Sequence, residues 1–126
     1  MFSSRFRETC GPVVESWRQA LERMHPDVVR GMLRMFAERD SLVPRVRRLA
    51  ESRLPLLLLA SALDRVVPPK RVQALAQELE TASLHVAPDA GHALPLEQPE
   101  GVNSALLAFL IDSGVIPPEH LQAQAA

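Results

Sequence analysis

The chain has 126 residues, 47% of them apolar and 23% charged, with 5 Gly, 11 Pro and a single Cys, a composition of ordinary globular domains that excludes collagen-like and disordered chains. Folding at this length hides roughly two thirds of the unfolded surface, so one compact domain with its own core is the starting expectation. The net charge is −1, but eleven arginines stand against seven acids in residues 1–53, and three basic against eight acidic residues in 54–126; a basic half raises nucleic acid as a partner, and two features argue against it.

The arginines interleave with acids at helical spacing, as in Glu15, Arg18, Glu22 and Arg23, and aromatic side chains to stack on bases are scarce. A solvated helical face is therefore expected, with no nucleic acid bound. Cys10 has no partner for a disulfide, and His25, His85 and His120 lack metal-ligand spacing, so no metal site is expected and the cytoplasm is the default location. The charge-free stretch between Arg53 and Asp64 is far shorter than the ~18 residues of a membrane helix, and no membrane association is expected. Arg5, Arg7 and Glu8 have no apolar stretch behind them, so no secretion signal is read there.

From Pro12, the residues Val13, Val14, Trp17, Leu21 and Met24 recur at three- and four-residue steps, which predicts a helix with one apolar face. Pro26 breaks it and opens a second, through Val28, Val29, Met32, Leu33, Met35 and Phe36. A third carries Leu42, Val46 and Leu49, with Ser41 as its N-cap. After Pro55 the texture changes: Leu56 to Ala60 is an unbroken apolar run of strand length, suited to a strand buried on both faces. Pro68 and Pro69 introduce a helix through Val72, Leu75, Ala76 and Leu79. Residues Ser83 to Ala87 form a second strand, closed by Pro88, and Pro99 opens a last helix through Val102, Ala105, Leu106, Phe109 and Leu110. Two strands joined by a helix should lie parallel. The Ala/Gln tail from Gln122 is expected to fray.

In parallel sheets, ligands bind beyond the carboxyl ends of the strands, so the residues just after each strand are the informative ones. Asp64 follows the first strand in Ala60-Ser61-Ala62-Leu63-Asp64-Arg65-Val66-Val67-Pro68-Pro69. His92 follows the second in Pro88-Asp89-Ala90-Gly91-His92-Ala93-Leu94-Pro95-Leu96-Glu97-Gln98-Pro99-Glu100. Alone, an Asp after a strand is a turn or cap residue and a His after a Gly is a loop residue. Together at one sheet edge they can pair, the carboxylate fixing the imidazole tautomer and stabilising the cation formed when His accepts a proton.

The run LLLLASALDRVVPPKRVQALAQELETASLHVAPDAGHALPLEQPEGVNSALLAFL resembles the last quarter of an α/β-hydrolase, in which an Asp follows one late strand and a His follows the last. The likeness is close over residues 54–111. Residues 1–53 resemble, more loosely, the end of the helical lid that such enzymes insert upstream. The implied fold class is α/β: a C-terminal βαβα portion of the sheet (54–126), preceded by lid-type helices (1–53), an incomplete fold. The resemblance makes Asp64 the triad acid and His92 the triad base. It also has Gly91 allow a tight turn, Arg65, Val66 and Val67 shape the acid loop, and Glu97 and Pro99 open the last helix. Ser61 stands where the family commonly has Gly.

The nucleophile implied by the family is a serine in Gly-x-Ser-x-Gly. None of the nine serines has glycine two residues before and after it. Cys10 lies ahead of the first helix with no strand before it and no base nearby in sequence, and Ser61 lies within the end of a strand, so neither replaces it. Two readings remain. In the first the chain is a hydrolase fragment holding acid and base, inactive alone, whose complete enzyme acts on an ester-like small molecule without cofactor; a carboxylate nucleophile acting on epoxides or carbon–halogen bonds stays open. In the second it is a non-catalytic module that binds a partner, self-associates, or meets a complementing N-terminal half.

Overall fold

The computed structural model describes residues 1–117; the tail from Gln122 and His120 lie outside them. The described residues form seven helices and two strands: α1 (Ser4–Thr9), α2 (Gly11–Glu22), α3 (Pro26–Glu38), α4 (Val43–Glu51), β1 (Leu56–Ser61), α5 (Pro69–Glu78), β2 (Ala82–Ala87), α6 (Leu94–Glu97) and α7 (Pro99–Asp112). Strands β1 and β2 pair in parallel, with Leu56 opposite Ala82 and Ser61 opposite Ala87. Equal length and in-step register bring both strands to an end at the same edge, which places the two following loops side by side.

Two short helices escape a reading based on apolar period. The first, α1, is a single capped turn and a half: Ser3 at φ −63° and ψ 159° accepts the Phe6 N–H on its hydroxyl, and Phe2 stacks on Phe6 with ring centroids 5.3 Å apart. A Ser followed three residues later by a buried apolar residue is the signal that was there to be read. The second, α6, is one turn, too short for any periodicity. Some expected boundaries move. Met24 and Leu79 fall just outside their helices, and the N-cap position of α4 is Leu42, not Ser41, although the Ser41 hydroxyl still accepts the Val43 N–H at 3.3 Å.

The core is small-residued: Ala87, Ala90, Leu94 and Val102 pack together, with Leu59 against them. Helices α5 and α7 contact both strands, but α2, α3 and α4 contain no buried residue. The expectation that the first strand is buried on both faces is therefore corrected: Leu56 to Leu59 are half-buried and only Ala60 and Ser61 are buried, because the helices ahead of β1 do not cover it. With so few apolar atoms enclosed, each matters. Leu94→Ala should lower stability by about 2–4 kcal/mol, read from urea unfolding, through lost transfer energy and a cavity beside Ala90 and Val102.

The charged helical faces close on themselves. Arg18 also reaches Glu22 and grips Glu15 with Nε and Nη2 at 2.9 and 2.7 Å; these Glu15 bonds, and then that from Gln19 Nε2 at 2.8 Å, hold the Glu15 carboxyl down at about 2. Arg30 pairs with Asp27 and Arg34 with Glu38. Arg47 reaches across to Glu78, 3.1 Å from Nε, tying α4 to α5. Just past α4, Arg53 sits at φ +58°, left-handed backbone that costs a side-chain-bearing residue about 1 kcal/mol relative to Gly. Arg53→Gly should accordingly be neutral or stabilising by up to ~1 kcal/mol in thermal unfolding, whereas an ordinary arginine-to-glycine change on a helix destabilises.

Candidate active site

The acid loop leaves β1 and is laced at once to the histidine loop leaving β2. Ala62 N–H donates to the Ala87 carbonyl at 2.8 Å and Leu63 N–H to that of Ala90 at 3.1 Å, while Asp64 N–H turns back to Ser61 at 3.2 Å. These bonds continue the ladder past the strand ends, so the two loops share one frame. The Asp64 side chain then does two things. Its Oδ1 accepts the N–H groups of Val66 and Val67 at 2.7 and 3.0 Å, which fixes the carboxylate plane. Its Oδ2 lies 2.9 Å from His92 Nδ1.

Asp64 is largely enclosed and His92 half-open, with side-chain exposures of 11% and 37%. Burial pushes the Asp64 carboxyl up, but the His92 hydrogen bond and the Val67 and Val66 N–H groups outweigh it, so the acid lies below its ordinary range and is ionised at neutral pH. An ionised carboxylate can only accept, so Nδ1 carries the proton, and whenever the ring is neutral Nε2 is the free base. An open cleft of about 320 Å³ adjoins the pair, walled by Leu59, Ala60, Val67, Val72, Leu94 and Pro95, an apolar surround with two convergent polar groups.

The histidine loop is braced on its other side. His92 N–H donates to the Met1 carbonyl at 2.7 Å, and Gly91 N–H and Ser3 N–H both donate to Glu97 Oε2 at 3.0 Å. Burial raises the Glu97 carboxyl, yet bonds from Ser3, Gly91 and Ala93 prevail and hold it below its ordinary range. Two expectations are corrected here. Glu97 does not open the last helix: it ends α6 and turns its side chain back under the loop. Gly91 is expected to allow a tight turn, but its φ is not positive; glycine is required because a Cβ there would lie 2.5 Å from the Met1 oxygen and 2.8 Å from the Ser3 nitrogen.

Three other singled-out residues lie apart from this pair, and a fourth, Ser61, borders the same cleft. His85 is half-buried on β2 opposite Leu59, His25 is the N-cap of α3 and accepts the Asp27 N–H, and Cys10 joins α1 to α2. Ser61 is buried at the end of β1. Among the described residues there is no cluster of three or more metal-ligating side chains and no helix long and apolar enough to cross a membrane.

Because both carboxyls titrate below their ordinary values of 3.8 and 4.5, the folded chain resists protons that the unfolded chain takes up. Their contribution to stability is complete above about pH 4.5 and is lost as pH falls through the folded values. Melting temperature should drop between pH 5 and 3, and Asp64→Asn or Glu97→Gln should each flatten that fall; an unchanged slope in both variants contradicts it.

A model of the alpha/beta hydrolase family matches residues 2–105. RutD of Caulobacter sp. (strain K31), named as a carbamate hydrolase, is 38% identical over 85 residues, which make up 68% of this chain and 30% of that protein. Among solved structures, a His-tagged serine hydrolase involved in carbazole degradation, the CarC enzyme, is 25% identical with a TM-score of 0.46, covering 51% of this chain and 25% of its own. The chain thus spans less than a third of the length of the relatives it matches. Since the family match runs through both loops that hold Asp64 and His92, and through the strands and helix that set them side by side, this chain belongs to the α/β-hydrolase family.

Proposed function

We propose that the chain supplies the acid and the base of a Ser-His-Asp type relay, in an enzyme that hydrolyses esters or related small molecules. The observation that supports it most is the 2.9 Å bond between Asp64 and His92, made between loops at the carboxyl ends of adjacent parallel strands. In that reading a serine outside this chain attacks the substrate carbonyl and its proton passes to His92 Nε2. Asp64 stabilises the imidazolium, which protonates the leaving alcohol. Water then attacks the acyl-enzyme with His92 as base, and the acid is released. The name of the RutD relative fits, since a carbamate presents the same kind of acyl carbon. A carboxylate nucleophile would use the same pair. Neither route needs a cofactor or metal, and the cysteine usage suits the cytoplasm.

On this reading residues 1–53 form the end of a lid, residues 54–126 form the C-terminal hydrolase segment, and the chain alone is inactive for want of a nucleophile. The test is hydrolysis of p-nitrophenyl acetate by the chain alone, and by the chain joined to the part of the RutD relative that lies outside the matched 85 residues. The joined protein should be active and the chain alone silent. Activity of the chain alone, surviving in His92→Ala, overturns the reading.

A second reading is favoured by one specific observation. Helices α2 and α3 leave Val13, Trp17, Leu21, Val28, Met32, Leu33 and Phe36 exposed, Leu33 at 63% and Phe36 at 52%, and such apolar faces favour partners. A non-catalytic chain that self-associates or docks onto a complementing half would use them. Light scattering on the purified chain should then give a mass above 13.9 kDa at micromolar concentration, whereas a monomer that melts in one cooperative step would remove this reading.

A further inference from the structure

We propose that Glu97 is the positioning residue of this site: its carboxylate fastens the loop that carries His92 to the segment Met1–Ser3 and so holds the imidazole against Asp64. The proposal rests on Asp64 and His92 acting as a pair. A single oxygen, Oε2, receives N–H groups from two segments far apart in sequence, Gly91 and Ser3, both at 3.0 Å. Bonds from N–H groups to an ionised carboxylate are among the stronger ones, about twice a neutral bond. The neighbouring link, His92 N–H to the Met1 carbonyl at 2.7 Å, joins the same two segments and depends on their separation being held.

The anchor itself is fixed from behind. Glu97 ends α6, whose first residue, Leu94, packs with Ala87, Ala90 and Val102, so its backbone belongs to the core. Ser3 is buried as the cap of α1, and Phe6 is buried one turn later, so the segment it grips is seated too. Between these two bodies the histidine loop has no slack, since even a methyl on Gly91 would strike backbone of Met1 and Ser3. Without the carboxylate, the Gly91 and Ser3 N–H groups lose their shared acceptor, and the backbone next to His92 is free to lift. A ring that must keep Nδ1 within 2.9 Å of a carboxylate depends on such support, because a displacement of about 1 Å is enough to spoil a catalytic constellation.

The experiment is nitrogen-15 NMR of the histidine rings in the intact 126-residue chain. The wild type should show His92 as the single Nδ1–H tautomer with a slowly exchanging Nδ1 proton, and Asp64→Asn should abolish that signal. A wild type without it overturns both the pairing and the role of Glu97. Given the signal, Glu97→Ala should lose it while circular dichroism shows the helices retained, and Glu97→Gln, whose amide oxygen can accept both N–H groups, should keep it. Retention of the signal in a folded Glu97→Ala chain overturns the positioning role and leaves the Asp64–His92 pair standing. Should Glu97→Ala fail to fold, Ser3→Pro decides: φ −63° suits proline, and it removes the N–H that Glu97 grips. Ser3→Ala, which keeps that N–H, is its control. Loss of the signal in Ser3→Pro but not Ser3→Ala supports the proposal, and any other pattern overturns it.

Discussion

Replacing His92 with Ala in a reconstituted enzyme should abolish hydrolysis, lowering kcat by a factor on the order of 10⁴ or more, and Asp64→Asn should cost nearly as much. The two effects have different physical origins. On the proposed mechanism, alanine removes the group that takes the nucleophile's proton. Asparagine leaves the loop in place, since its amide oxygen can still accept the Val66 and Val67 N–H groups, but it no longer compels Nδ1 to carry the proton. The ring can then present Nε2–H to the serine, which makes it a donor where a base is required. Combining the two changes should add little, because the residues act as one unit. An Asp64→Asn enzyme with near-native kcat would mean that another group sets the tautomer. Full additivity of the two substitutions would mean that they act separately.

The second large effect concerns glycine. Gly91→Ala should destabilise the chain by about 1–3 kcal/mol or more, because the added Cβ meets backbone at 2.5 and 2.8 Å and no rotamer can relieve it. The melting temperature should fall by several degrees, and the Met1–Ser3 segment should detach from the histidine loop. Gly31→Ala gives the opposite sign. Gly31 lies within α3, a Cβ there meets nothing within 4 Å, and alanine in a helix interior is favoured over glycine by about 0.5–1 kcal/mol. The same added methyl thus stabilises at one position and destabilises at the other. Equal effects at both sites, measured by thermal unfolding, would show that the contacts at Gly91 are not tight.

Among the elements, those with long apolar period were legible from the residues: α2, α3 and α7 announce themselves through Val13 to Leu21, Val28 to Phe36 and Val102 to Leu110, and prolines mark the start of each. The strands were legible from the unbroken Leu56 to Ala60 run and from the helix between them, which requires a parallel pairing. Asp64 and His92 stood out for a related reason. Chemistry in such sheets collects just past the strand ends, and each lies in the loop that follows a strand. The short helices were not legible, because α1 and α6 are held by a cap and by contacts rather than by periodicity.

Residues Met1 to Ser3 are the clearest case of what chain order conceals. They stand about ninety positions before the histidine loop, and no local pattern links them to it; only folding brings the Met1 carbonyl to His92 and the Ser3 N–H to Glu97. The family resemblance makes Glu97 part of the opening of the last helix, yet its side chain turns the other way, to backbone donors that a sequence does not display. The amino-acid order alone therefore indicates the βαβα unit and singles out Asp64 and His92 at its strand ends, since helix period, strand length and loop position are local properties. Whether that acid and base meet, and what holds them together, belongs to the tertiary structure, because hydrogen bonds between distant backbone groups depend on distances that exist only in the folded chain.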